Sequence, residues 1–94
     1  DLNKYRVLFA KKRGFSAILR DNTKIERILL DSTSGIGADA VIITANTKTS
    51  DPIELAGRIA RHKAIITILG GVGINIPRKD FYNLVLKKLF VMYL

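Results

Sequence analysis

Ninety-four residues suffice for one small domain at most, and 48% hydrophobic with 26% charged residues is a globular composition that excludes a disordered tail. The absence of cysteine excludes disulfide frameworks, thiolate zinc sites and cysteine nucleophiles. Sixteen Lys and Arg against eight Asp and Glu leave a net charge of +8. The basic residues are scattered in groups (Lys11-Lys12-Arg13, Arg78-Lys79, Lys87-Lys88), which speaks against a nucleic-acid partner.

In chain order, Tyr5, Val7, Leu8 and Ala10 recur at roughly helical spacing from Asn3 or Lys4 to Arg13, and Gly14 is placed to cap that helix. The short apolar run Phe15–Leu19 predicts a buried strand. Ile25, Ile28, Leu29 and Leu30 predict a second, amphipathic helix over Thr23–Leu30, followed by a turn from Ser32 to Gly37. Ala38–Ala45 is a nearly continuous apolar run of the kind that forms a parallel strand covered on both faces. Asp51-Pro52 opens a third helix, with Asp51 placed to accept from the first amides. That helix is expected to reach about Arg61, with Arg58, Arg61 and His62 near the negative end of its dipole.

Ala64–Leu69 predicts another buried strand, running into Gly70-Gly71-Val72-Gly73. A loop at Ile74–Pro77, a turn or short helix at Arg78–Asn83 and a last strand near Leu89–Tyr93 complete the pattern. Helices of about ten residues alternating with apolar strands are the mark of βαβ units and a parallel sheet. The last apolar stretch, Leu89–Leu94, is far too short to span a bilayer, and no signal-peptide pattern is present. A cytoplasmic protein with no membrane partner is the expectation.

Three segments resemble the medium-chain, zinc-type alcohol dehydrogenase superfamily. Asp1-Leu2-Asn3-Lys4 through Ala10-Lys11-Lys12-Arg13-Gly14 is similar to the end of the second strand and the following helix of its dinucleotide-binding domain, with Phe15 where alanine is usual. Gly35-Ile36-Gly37-Ala38-Asp39-Ala40-Val41-Ile42 resembles the segment that opens the fourth strand. Ala38 to Tyr82, with Asp51-Pro52-Ile53-Glu54-Leu55-Ala56 and Ile76-Pro77-Arg78-Lys79-Asp80-Phe81-Tyr82, looks like the two-domain oxidoreductases linked to polysaccharide biosynthesis. After Tyr82 the chain departs from that pattern.

The resemblance implies an α/β fold: a partial Rossmann-type three-layer sandwich with a mostly parallel sheet. Residues 1–94 would be the later portion of an NAD(P)-binding domain, lacking the first βαβ strand and its glycine-rich turn. It implies that Asp1 meets the adenosine ribose and that Arg6 lies near it. Ligands in open α/β sheets bind beyond the carboxyl ends of the strands, which adds Thr44, Ala45 and Asn46, and Leu69, Gly70 and Gly71.

The cofactor implied is NAD or NADP, with dinucleotide and small-molecule substrate bound by a longer parent. Binding by these residues alone would be weak or absent, because the Gly-x-Gly-x-x-Gly turn that holds the pyrophosphate is not in the sequence. A single His without cysteine gives no zinc constellation, and no nucleophile, base and orienting partner stand together, so no catalytic or metal residue is expected. Two alternatives stand beside this reading: a small basic module for nucleic acid or another polyanion, and a non-catalytic remnant that self-associates through an exposed sheet edge.

Overall fold

The computed structural model describes residues 1–20 and 24–74 and the backbone of a strand at residues 88–91. Helix α1, Lys4–Lys12, is built by its caps. The Asn3 side chain accepts hydrogen bonds from the N–H groups of Tyr5 (2.9 Å) and Arg6 (3.3 Å), satisfying two amides that have no partner within the helix. At the other end Gly14 takes φ +86°, and the N–H groups of Gly14 and Phe15 bond to the carbonyls of Lys11 and Ala10, each at 3.1 Å. This is a Schellman arrangement, and it stops the helix where the glycine predicts. Val7 is buried and Ala10 half-buried, whereas Tyr5, Leu8 and Phe9 are exposed.

Residues 15–20 correct one expectation, since they form no regular strand. They make a single parallel pairing: the Asp1 amino group donates to the Ile18 carbonyl (3.1 Å) and the Arg20 N–H to the Asp1 carbonyl (2.7 Å), setting Asp1 opposite Leu19.

Helix α2, Lys24–Ser32, ends in a turn at which the N–H groups of Thr33 and Gly35 bond to the Leu30 carbonyl. Thr23, expected to open it, lies outside the described residues. Strand β1, Ala38–Ile43, helix α3, Asp51–Ile59, and strand β2, Ala60–Ile68, follow, and β3, Lys88–Val91, closes a three-stranded sheet of order β1-β2-β3 with both pairs parallel. The last strand thus starts one residue before the expected Leu89. Residues 92–94 and the expected turn at Arg78–Asn83 lie outside the described residues.

Two details of α3 and β2 differ from expectation. The helix ends at Ile59, because Ala60 is already extended (φ −76°, ψ 141°) and pairs with Ala38 in the sheet. Arg61 and His62 therefore belong to the strand and not to the last helical turn; Arg61 pairs with Asp39 at 2.7 Å. The register runs Ala38↔Ala60, then Ala40↔Ile65, so β2 carries an irregularity, with Lys63 at φ +62°. Regular pairing covers Ile65–Ile68, inside the predicted Ala64–Leu69. At the N-terminus of α3, Ser50 is the cap and makes no side-chain cap bond, while Asp51, expected to accept from the first amides, pairs with Arg20.

Alternation along the strands decides what is buried. Ile43, Ala64, Ile66 and Ile68 point to one face and pack with Ile53, Ala56 and Ala60, joined by half-buried Val41 and Val72. Helix α3 covers this face, and α2 lies against α3, linked by Arg58 and Glu26 at 3.2 Å. On the opposite face Ala40, Ile42 and Ile65 are exposed, Ile42 at 64%. Among the described residues no helix is long and apolar enough to cross a membrane.

Candidate functional site

Parallel pairing brings the carboxyl ends of β1 and β2 side by side, and the loops that leave them stay together. The Leu69 N–H donates to the Ile43 carbonyl (2.8 Å), continuing the ladder one step past the strand. Beyond it the Gly71 N–H donates to the Asn46 side-chain oxygen (2.7 Å), the Thr47 N–H to the Gly71 carbonyl (2.8 Å) and the Gly73 N–H to the Thr49 carbonyl (2.9 Å). The two loops are zippered through residues 43–49 and 69–73. Thr44, Ala45, Asn46 and Gly71 are exposed along this seam; Leu69 and Gly70 are half-buried.

The glycine run owes its composition to this zipper. A side chain at Gly70 would run into the Ala45 carbonyl, and one at Gly73 would sit 2.6 Å from the Lys48 carbonyl oxygen. At Gly71 the neighbour is the Asn46 Oδ1, 3.3 Å away. These three have ordinary φ angles, so the requirement is for space and not for a left-handed backbone. A glycine-rich turn after a strand signals close approach of something; here that something is the neighbouring loop.

Asp1 stands at the end of the extended pair formed with Leu19. One of its carboxylate oxygens accepts from the Asn3 N–H at 2.8 Å. Arg20, whose N–H closes that pair, reaches Asp51 at 2.7 Å, tying the Asp1 region to the start of α3, which follows the loop after β1. Asn46 as the clasp of Gly71 and the Arg20–Asp51 pair were not foreseen from sequence. An asparagine at a strand end is a recognised turn former, but which amide it bonds depends on the partner loop. Arg6 is exposed on α1, and its N–H donates to the Asn3 side chain, the residue whose own N–H holds the Asp1 carboxylate.

The chemistry of this donor set fits part of a dinucleotide. A carboxylate with one oxygen already held can offer the other to a sugar diol, and the exposed rim at Thr44–Asn46 and Gly71 can lie against a flat ring. The glycine run is no pyrophosphate cradle: the space beside Gly70, Gly71 and Gly73 is taken by the neighbouring loop, and among the described residues no buried polar side-chain atom is left without a partner. No group of three or more His, Cys, Asp or Glu side chains converges among the described residues.

No family model matches the chain, and no curated protein matches it. Solved structures do. The enoyl reductase CurK superposes with a TM-score of 0.72 at 18% identity, over 96% of this chain and 26% of that one. The ER cyclopropanase CurF from the curacin A biosynthetic pathway gives 0.70 at 14% identity, over 95% and 26%. An NAD-dependent alcohol dehydrogenase gives 0.64 at 18%, over 97% and 26%. The chain spans about a quarter of the length of these proteins. Its α/β architecture, a parallel sheet with helices packed on it, is that of part of a Rossmann-like fold.

Proposed function

We propose that these residues are the later portion of the cofactor domain of an NAD(P)-dependent, alcohol dehydrogenase-like oxidoreductase acting in the cytoplasm, and that they do not catalyse by themselves. The observation that carries this reading is the seam of two loops at the carboxyl ends of β1 and β2, the place where open α/β sheets bind ligands. The nicotinamide cofactor, when bound, would supply hydride transfer. In that arrangement Asp1 would hold the adenosine ribose and Arg6 would lie beside it, while Thr44, Ala45, Asn46, Leu69, Gly70 and Gly71 would shape the wall facing the cofactor. A free carboxylate oxygen on Asp1 favours the ribose diol of NAD over the 2′-phosphate of NADP. Small-molecule substrate would be held by the longer parent, and zinc-type membership of that parent is part of the same proposal.

Titration of the isotope-labelled chain with NAD, followed through its amide resonances, tests this. The expected outcome is weak binding, in the millimolar range on the affinity scale of single partial contacts, with shifts gathered at Asn3, whose N–H donates to the Asp1 carboxylate, and at Asn46 and Gly71, and reduced by Asp1→Ala. Shifts spread evenly over the basic surface and abolished by modest salt would sink the proposal in favour of generic polyanion binding.

A further inference from the structure

Helix α1 is apolar on the wrong side. Val7 and Ala10, three residues apart, turn inward, and the side chains on the opposite side include Tyr5, Leu8 and Phe9, exposed by 74%, 52% and 60%. Together with Lys12 they stand at i, i+3, i+4 and i+7, the stripe by which one helix packs on another. Leu2, 78% exposed, lies just before the first turn. A contiguous apolar stripe held in water is a feature of interaction surfaces, not of ordinary solvated helices.

The charge around the stripe says what fits it. Residues 1–15 contain five basic side chains, Lys4, Arg6, Lys11, Lys12 and Arg13, against one acid, Asp1. None of the five takes part in an ion pair among the described residues. Lys4 and Arg6 lie in the first turn, where the helix dipole disfavours cations, and no acidic residue there offsets them. The Arg13 guanidinium lies 4.5 Å from the centre of the Phe9 ring, so positive charge borders the apolar stripe directly. A second copy would bring like charges together.

We infer that the Tyr5, Leu8, Phe9 and Lys12 face of α1 docks an acidic amphipathic helix: apolar along its contact stripe, with Asp or Glu on both flanks. The face is ready for it. The Asn3 cap and the Gly14 Schellman turn hold α1 formed without the partner, so little ordering cost remains for binding. The i+3 and i+4 stripe with aliphatic Leu8 favours a helix over a nucleic-acid strand, which would use stacked rings and phosphate contacts alone.

The probe is a fluorescein-labelled synthetic helical peptide with Leu at i, i+3, i+4 and i+7 and Glu on its flanks, titrated with the full 94-residue chain and read by anisotropy. A scrambled peptide of the same composition, a Lys-flanked peptide and an oligothymidylate run alongside. Expected are binding of the Glu-flanked peptide only, a loss of about tenfold or more in Tyr5→Ala and Phe9→Ala, and weakening as salt is raised. The paired change Lys12→Glu with Arg13→Glu should move preference to the Lys-flanked peptide. Those four positions are exposed, and an unchanged circular dichroism spectrum separates lost binding from lost fold. Equal binding of the scrambled peptide, no peptide binding, or oligothymidylate binding lost in the Tyr5 and Phe9 variants would each overturn the inference.

Discussion

At the scale of single residues, the glycines divide by cause, and the cause predicts the cost of replacing them. Gly14 and Gly35 have positive φ (+86° and +79°) and open space where a side chain would go. An alanine at either meets only the backbone penalty of about 1 to 2 kcal/mol. Gly37 has φ +103° and also lies against the α3–β2 junction, with the Ile59 carbonyl oxygen 2.8 Å and the Arg61 nitrogen 2.9 Å from where a Cβ would stand. Gly70 has no special φ, but its space belongs to the Ala45 carbonyl. Urea denaturation should therefore rank Gly37→Ala and Gly70→Ala as the more damaging pair, each losing roughly 2 to 4 kcal/mol from overpacking against backbone that cannot yield. A Gly70→Ala chain as stable as the parent would mean the two loops are not zippered. The Arg20–Asp51 pair, partly exposed on both sides, warrants only a small effect of up to about 1 kcal/mol that fades with salt.

At the scale of elements, most of what formed was legible in the sequence because its signals are local. The caps of α1 are read from Asn3 and Gly14, and β1 and the regular part of β2 are read from β-branched runs. The departures share one origin, namely contacts with residues far away in sequence. Phe15–Leu19 has strand composition, and among the described residues it makes one parallel pairing, with Asp1. Arg61 and His62 continue a helical charge pattern, yet pairing of Ala60 with Ala38 draws them into β2. The same contrast divides the isoleucines of the sheet, which composition cannot tell apart. Ile66, 3% exposed beneath α3, should cost about 2 to 5 kcal/mol when cut to alanine. Ile42, in the same sheet but facing outward, should change stability by less than about 1 kcal/mol when replaced by threonine, which keeps the β-branch. Thermal unfolding of the two variants checks this, and equal losses would mean both faces of the sheet are covered in solution.

For the whole molecule, one covered and one open face make association the property to watch. Ala40, Ile42 and Ile65 form an apolar surface, and among the described residues β1 is an edge strand of the sheet. Such an edge invites pairing with another strand, against which the charge of +8 works by repulsion. We expect concentration-dependent association in light scattering, stronger at high salt, and a shift to monomer in Ile42→Lys with Ile65→Lys; a clean monomer at every concentration and salt would remove the self-association reading. The sequence by itself determined the α/β class, the helices α1 to α3 and the apolar runs that pair as a parallel sheet, because propensity, capping and periodicity act within a few residues. Only the tertiary structure decided that the Gly70–Gly73 run packs against the loop after β1, that Asp51 answers Arg20 instead of capping its own helix, and that α1 turns Tyr5, Leu8 and Phe9 outward. Each of those depends on which distant backbone or charge arrives alongside, and no local pattern carries that information.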